Sequence, residues 1–339
     1  MKKVFLLVLL PLFSWGQVAP FGEDTVKLKY TNSIQVEGLK KHFEILASDS
    51  LEGRETGEPG QNMAAEYIAN HFKKVGIPPY KRKTYYQKFK VKSRGYLRQR
   101  ITLKQNYVKG ENVLGFIEGT DLKDEVLIIT AHYDHLGKKE GLTYNGADDN
   151  VSGTAAILEI ADAFMKAKKD SIGPRRSILI MAVSGEEKGL LGSKYYTEKP
   201  IYPLDKTIAN LNIDMIGRTD EYHESGDYVY LIGSDRLSTE LHNISEEVNK
   251  KYFNLELDYT FNDKDDPNRY YYRSDHYNFA KKNIPVIFYF SGVHEDYHKP
   301  TDTIDKIDFE KTQKISRYIF LTAWELANRE ERLKVDIAD

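Results

Sequence analysis

The chain has 339 residues, 40% of them hydrophobic, enough for a large buried core in one big α/β domain or two smaller ones. Its formal net charge of −2 makes nucleic acid and anionic membranes unexpected partners. With no cysteine, disulfides are excluded, so stability has to come from core packing and from any metal the chain binds.

The elements follow in chain order. Met1-Lys2-Lys3 is a basic start, Val4 to Leu10 is a short apolar run, and Ser14 and Gly16 offer small residues at a cleavage site. Residues 1–16 therefore read as a secretory signal, too short to span a bilayer as a helix. The expectation is export, to the periplasm or beyond, of a mature chain 17–339 with no stable membrane insertion. Val36 to Ala47 and Gln61 to Val75 carry helical apolar spacing, separated by a turn-rich stretch with Gly53, Gly57, Pro59 and Gly60. Residues 84–118 alternate in short runs (Phe89, Val91; Ile101, Leu103; Val113, Ile117), which predicts antiparallel strands. Beyond them, strands are predicted at 126–131, 177–183, 207–214, 228–233 and 285–290, and helices at 151–168, 237–251 and 308–327. Continuous apolar strands between amphipathic helices imply a central, mixed but mostly parallel sheet sandwiched by helices. No repeat or long linker divides the chain, so a single α/β domain is expected.

Five metal-ligating side chains fall at the ends of these strands or in turn-flanked loops: His132, Asp149, Glu187, Asp214 and His298. In open α/β sheets such ends converge on one edge, where sites form. A lone His-x-Asp or Glu-Glu is ordinarily surface or structure; a set of five at strand ends is not. Two imidazoles and three carboxylates suit zinc, and five exceed what one tetrahedral ion needs, which points to a two-metal hydrolase. Asp134 is placed to accept the other ring N–H of His132. Of Glu186 and Glu187, one can ligate while its neighbour serves as a general base. Tyr297, beside His298, is a candidate oxyanion donor. His135 and His294 read as loop histidines rather than ligands. His276 is read either as a brace or as a residue near substrate. Arg54 and Arg273 are candidates for substrate carboxylates or for buried ion pairs, and Tyr270-Tyr271-Tyr272 for a pocket wall or sheet-edge packing.

These motifs resemble a family. His132-Tyr133-Asp134, Gly146 to Gly153 (GADDNVSG), Gly185 to Ser193 (GEEKGLLGS), Asn212-Ile213-Asp214-Met215 and Tyr297 to Thr303 (YHKPTDT) are similar to the co-catalytic di-zinc aminopeptidases. Those are the bacterial leucyl-aminopeptidase-like enzymes, related to glutamate carboxypeptidase and glutaminyl cyclase. The stretch Leu51 to Gly57 and the later Arg273-Ser274-Asp275-His276 fit bacterial members, so the likeness covers about residues 40–325. The resemblance implies the zinc-exopeptidase (phosphorylase/hydrolase-like) fold and two Zn2+ per chain. Asp149 would bridge the ions ahead of a cis peptide to Asn150. His132 and Asp214 would complete one site, Glu187 and His298 the other, and Asp148 would not be a ligand. Glu186 would be the general base and acid, and Tyr297 the oxyanion donor. The implied substrates are peptides trimmed from free N-termini. Alternatives are a single-zinc glutaminyl-peptide cyclotransferase and a related carboxypeptidase or dipeptidase. The cyclases line their pockets with tryptophan, whereas the only tryptophans here are Trp15 and Trp324. The interval 76–125 is too short for a protease-associated insert.

Overall fold

Strand β3 (Leu122–His132) shows why its sequence is apolar without a break: Leu127, Ile129 and Ala131 point into one hydrophobic cluster, Val126 and Ile128 into another. Strand β6 (Arg176–Val183) divides in the same way, with Ile178, Ile180 and Ala182 on one side and Leu179, Met181 and Val183 on the other. A sheet buried on both faces gives up the alternation of a half-exposed one. The computed structural model describes residues 23–80, 83–92 and 107–337. The signal expected at 1–16 and the run around Ile101 and Leu103 lie outside the described residues.

The remaining strands are β1 (Tyr86–Lys92), β2 (Tyr107–Ile117), the small pair β4 (Gly137–Lys139) and β5 (Leu142–Tyr144), β7 (Thr207–Ile213), β8 (Tyr228–Ile232), β9 (Glu256–Asp258) and β10 (Val286–Phe290). The helices are α1 (Glu23–Thr31), α2 (Val36–Leu46), α3 (Pro59–Val75), α4 (Gly153–Lys169), α5 (Leu191–Glu198), α6 (Thr239–Tyr252), α7 (His276–Ala280) and α8 (Phe309–Asn328). The eight-stranded sheet has the order β1-β2-β6-β3-β7-β10-β8-β9. Its centre, β6-β3-β7-β10, is parallel, while β1 and β2 add antiparallel strands at one edge. Helices α1, α2, α3, α4, α6 and α8 form the layer on one face; α5 and α7 pack on the other.

Local signals set the helix ends. Pro59 starts α3 and Gly76, at φ 95°, stops it. Asp308 caps α8 by accepting the Lys311 N–H. The antiparallel run of β8 against β10 fits the mixed, mostly parallel sheet expected from the sequence. No helix separates β7 from β8, so the chain returns without a crossover and the strand points down. Short elements such as α5 and β9 escaped the sequence reading because three to eight residues carry too little periodicity. Among the described residues no helix is long and apolar enough to cross a membrane.

From β3 the chain crosses through α4 to β6 on one side, then through α5 to β7 on the other. The direction of winding reverses at β3, and the carboxyl end of such a strand opens into a crevice. Residue His132 ends that strand.

Candidate active site

The four central strands deliver their ends to this crevice. His132 closes β3, Asp214 follows β7 directly, Glu186 and Glu187 follow β6, and His298 stands in the loop after β10. After β6, Gly185 takes φ 79° and its carbonyl accepts the Leu191 N–H, a tight turn that a side chain would strain. Asp149 comes from the turn Ala147–Ser152, where the Asp149–Asn150 peptide is cis. Asn150 ties that turn to the end of β7: its Nδ2 donates to Ile213 O at 2.8 Å and its Oδ1 accepts the Met215 N–H at 3.2 Å. From the other side, the Asp302 carboxylate accepts the N–H groups of Asp148 and Asp149.

The side chains meet around Asp149. Its Oδ1 lies 3.2 Å from His132 Nε2, which is also 3.2 Å from Asp214 Oδ1. Its Oδ2 lies 3.2 Å from His298 Nε2, which is 3.3 Å from Glu187 Oε2. Donors around a tetrahedral zinc at about 2.0–2.1 Å stand about 3.3 Å apart, so all four separations match the edges of two coordination shells sharing Asp149. Four carboxylates, Asp149, Glu186, Glu187 and Asp214, gather around His132, His135 and His298, with Arg273 at the pocket wall. Their four negative charges match two divalent ions.

Electrostatics agree with that demand for positive charge. Burial opposes protonation of His132, yet the Asp214 and Asp149 carboxylates overcome it and hold its pKa well above the usual imidazole range. Burial raises Glu186 well above an ordinary carboxylic acid; His132 pulls it down, and Glu187 and Asp214 push it further up. Burial and the Asp149 carboxylate likewise raise the Tyr297 phenol, which keeps its proton and remains a donor. The Tyr297 ring stacks on His298 with centroids 3.8 Å apart.

Two expectations change. The acceptor near His132 Nδ1 is the main-chain carbonyl of Asp134, at 3.1 Å; the Asp134 carboxylate is 3.9 Å away. That carboxylate accepts instead from Thr56 Oγ1 and from the Glu186 N–H, because the chain turns after β3 and aims the side chain toward the β6 loop. Its contribution is to hold Glu186 in place.

His135, expected to be a loop histidine rather than a ligand, is buried against Glu187 and Asp149. Its Nδ1 is 2.8 Å from Glu187 Oε1 and 3.8 Å from Asp149 Oδ2, and neither Nδ1 nor Oε1 makes an aligned hydrogen bond. Two close, orphaned electron-pair donors fit a shared cation better than a shared proton. His132, Asp149 and Asp214 form one cation-holding group, and His135, Asp149 and Glu187 another. The sequence signal was present in His132-Tyr133-Asp134-His135, two histidines three residues apart at a strand end.

The other candidates separate cleanly. His294 is also buried, with Nε2 3.3 Å from Asp148 Oδ2, behind the site. His276 packs on Phe288, and burial lowers its pKa to about 3, so it braces the wall as a neutral ring. Arg54 is buried and gives its donors to the carbonyls of Tyr133, Leu46, Asn145 and Gly146. Arg273, Tyr270, Tyr297, Met215, Phe288 and Phe290 line the pocket with Glu186 and the metal-ligating groups. Tyr271 is core.

The peptidase family M28 pattern matches residues 112–323, more than half of the chain. The chain belongs to peptidase family M28. Aminopeptidase YwaD of Bacillus subtilis is 26% identical over 232 residues, 66% of this chain and 46% of that protein. The chain thus spans about half the length of the curated relatives it matches. The LapA aminopeptidase of Legionella pneumophila has the same fold, with TM-score 0.70 at 21% identity over 98% of this chain and 81% of LapA. BSAP, a zinc aminopeptidase from Bacillus subtilis, gives 0.68 at 18% identity over 90% of this chain and 99% of BSAP. Glutaminyl cyclase of Porphyromonas gingivalis gives 0.63 at 17% identity over 85% and 97%.

Proposed function

We propose that this chain is a zinc-dependent aminopeptidase that hydrolyses the N-terminal peptide bond with two ions held by His132, Asp149, Asp214, Glu187 and His298. The observation that carries the reading is the division of Asp149, one oxygen 3.2 Å from His132 and the other 3.2 Å from His298. Zinc in these positions supplies a water acidified toward neutral pH and polarises the scissile carbonyl. Glu186, beside that site and outside the proposed ligand set, would take a proton from the attacking water and return it to the leaving amine. Tyr297 donates to the carbonyl oxygen as negative charge grows there. The free α-amine of the substrate is held at the Glu187–His298 side, which restricts cleavage to N-termini.

The pocket wall of Met215, Tyr270, Phe288, Phe290 and Val293 suits an apolar first side chain. It contains no tryptophan: Trp324 stacks on Phe164 under the sheet. That disfavours the cyclase reading. Export remains part of the proposal through residues 1–16.

The test is the zinc-loaded protein on aminoacyl anilides, N-blocked peptides and N-terminal glutaminyl peptides, with metal content measured. The expected result is release from free N-termini with about two zinc per chain. Ammonia release from glutaminyl peptides with one zinc per chain would reject it.

A further inference from the structure

Two arginines stood open as partners for substrate carboxylates, and the fold separates them. Arg54 spends its guanidinium on main-chain carbonyls inside the protein. Arg273 is exposed at the pocket wall. Its guanidinium carbon lies 4.8 Å from the Tyr270 ring centroid, and Nη2 donates to Tyr297 Oη at 3.4 Å. No carboxylate of the described residues pairs with it. The backbone beneath is fixed: the next residue, Ser274, donates to Asp214 Oδ2 at 2.7 Å and accepts from Asn212 Nδ2 at 2.9 Å. A cation with no carboxylate partner among the described residues, stacked on one pocket tyrosine and donating to another, is held at the pocket without being neutralised.

Its position relative to Tyr297 decides what it can reach. A carbonyl oxygen accepting from Tyr297 Oη sits about 2.8 Å from it. The next carbonyl or carboxylate along an extended peptide lies about 3.5 Å further. Arg273 Nη2, 3.4 Å from the same phenol oxygen, is within reach of the carbonyl or carboxylate that follows the one Tyr297 would hold. An anion there is not repelled once the four site carboxylates are matched by two divalent ions.

We propose that Arg273 binds a carboxylate carried by the residue immediately after the scissile bond, so that the site selects short peptides ending there or peptides with an acidic second residue. The proposal rests on the aminopeptidase reading for its substrate orientation. The guanidinium fork takes a carboxylate through two parallel hydrogen bonds, which a neutral amide cannot replace. Main-chain and side-chain carboxylates offer the same chemistry, and the test separates them.

Zinc-loaded Glu186→Gln protein, which holds substrate without turning it over, is titrated calorimetrically with three probes: Leu-Gly, leucyl-glycinamide and leucyl-aspartamide with a free side-chain carboxylate. With Arg273 present, one or both carboxylates bind about tenfold or more tighter than the glycinamide. The preference falls to near unity with Arg273→Gln and largely returns with Arg273→Lys. Preference for Leu-Gly assigns the main-chain carboxylate and hence dipeptides; preference for the aspartamide assigns the side chain. Equal binding of all three probes, no binding of any, or a preference that survives Arg273→Gln overturns the proposal. Hydrolysis of leucyl anilide by the wild-type protein reads the aminopeptidase assignment separately, because the anilide has no carboxylate. Failure there alongside carboxylate-selective binding would sink the reaction and leave Arg273 as an anion-binding group.

Discussion

Nδ1 of His135 stands 2.8 Å from Oε1 of Glu187, inside the protein and with no hydrogen bond to satisfy either atom. The pair lies on the His298 side of Asp149, so a cation held on that side would meet His135 and one held at His132 would not. His135→Ala should weaken one of two zinc ions by about 10- to 100-fold and leave the other unchanged. Competition with a chromophoric chelator, which resolves two binding steps, checks this. Two unchanged steps would show that His135 has no part in metal binding.

Asp149 faces both histidines, so its loss is felt twice. Asp149→Asn should bring the metal content after dialysis from about two ions toward none, whereas His298→Ala should leave about one. Elemental analysis of folded protein distinguishes these outcomes. Two ions retained by Asp149→Asn would remove the bridge from the scheme.

Glu186 is assigned a proton and no ion. Glu186→Ala should keep both zinc ions and the far-ultraviolet spectrum while kcat on leucyl anilide falls by about 100-fold or more. Activity within tenfold of wild type would move the base elsewhere.

Arg54 is a stability residue. Removing its side chain takes a donor from the carbonyls of Tyr133, Leu46 and Asn145 near the turn that carries Asp149, while Gly146 O keeps the Val151 N–H. Arg54→Ala should destabilise the fold by about 3–5 kcal/mol, read from urea midpoints. Loss of turnover with an unchanged midpoint would give Arg54 a role at the substrate instead.

Lys311 provides a pH test remote from the ions. Its amine is buried 3.5 Å from the Tyr228 ring centroid without a hydrogen-bond partner, and burial lowers its pKa from 10.5 to about 7. The folded state holds this proton less tightly than the unfolded state does. The stability contributed by the neutral amine is therefore complete above pH 10.5 and is lost as pH falls through about 7. Lys311→Met should be more stable than wild type by several degrees at pH 6, with the gap closing by pH 10. A gap independent of pH would mean that the amine binds its proton equally well in the folded and unfolded states.

The sequence was most readable where physics repeats. Both-face burial made β3 and β6 nearly continuous apolar runs, β7 carries buried Asn210 and Asn212 among its apolar residues, and the three strand ends marked His132, Glu187 and Asp214. Less readable was spatial order: nothing in the chain order of the strands says that β10 lies between β7 and β8. Side-chain aim was hidden altogether. Asp134 and His135 lie two and three residues past His132, and only the turn after β3 decides that the carboxylate swings to Glu186 while the imidazole enters the site. Arg54 and Arg273 were equivalent on paper; burial of one and exposure of the other separates them.

The reversal of winding at β3 also has a consequence in time. The ligands arrive in the order His132, Asp149, Glu187, Asp214 and His298, and the last emerges from the ribosome after β10, when most of the sheet has already been made. A nascent chain lacking β10 has His132, Asp149, Glu187 and Asp214 but neither His298 nor Tyr297, so the cluster around Asp149 closes only once β10 and the loop after it have been made.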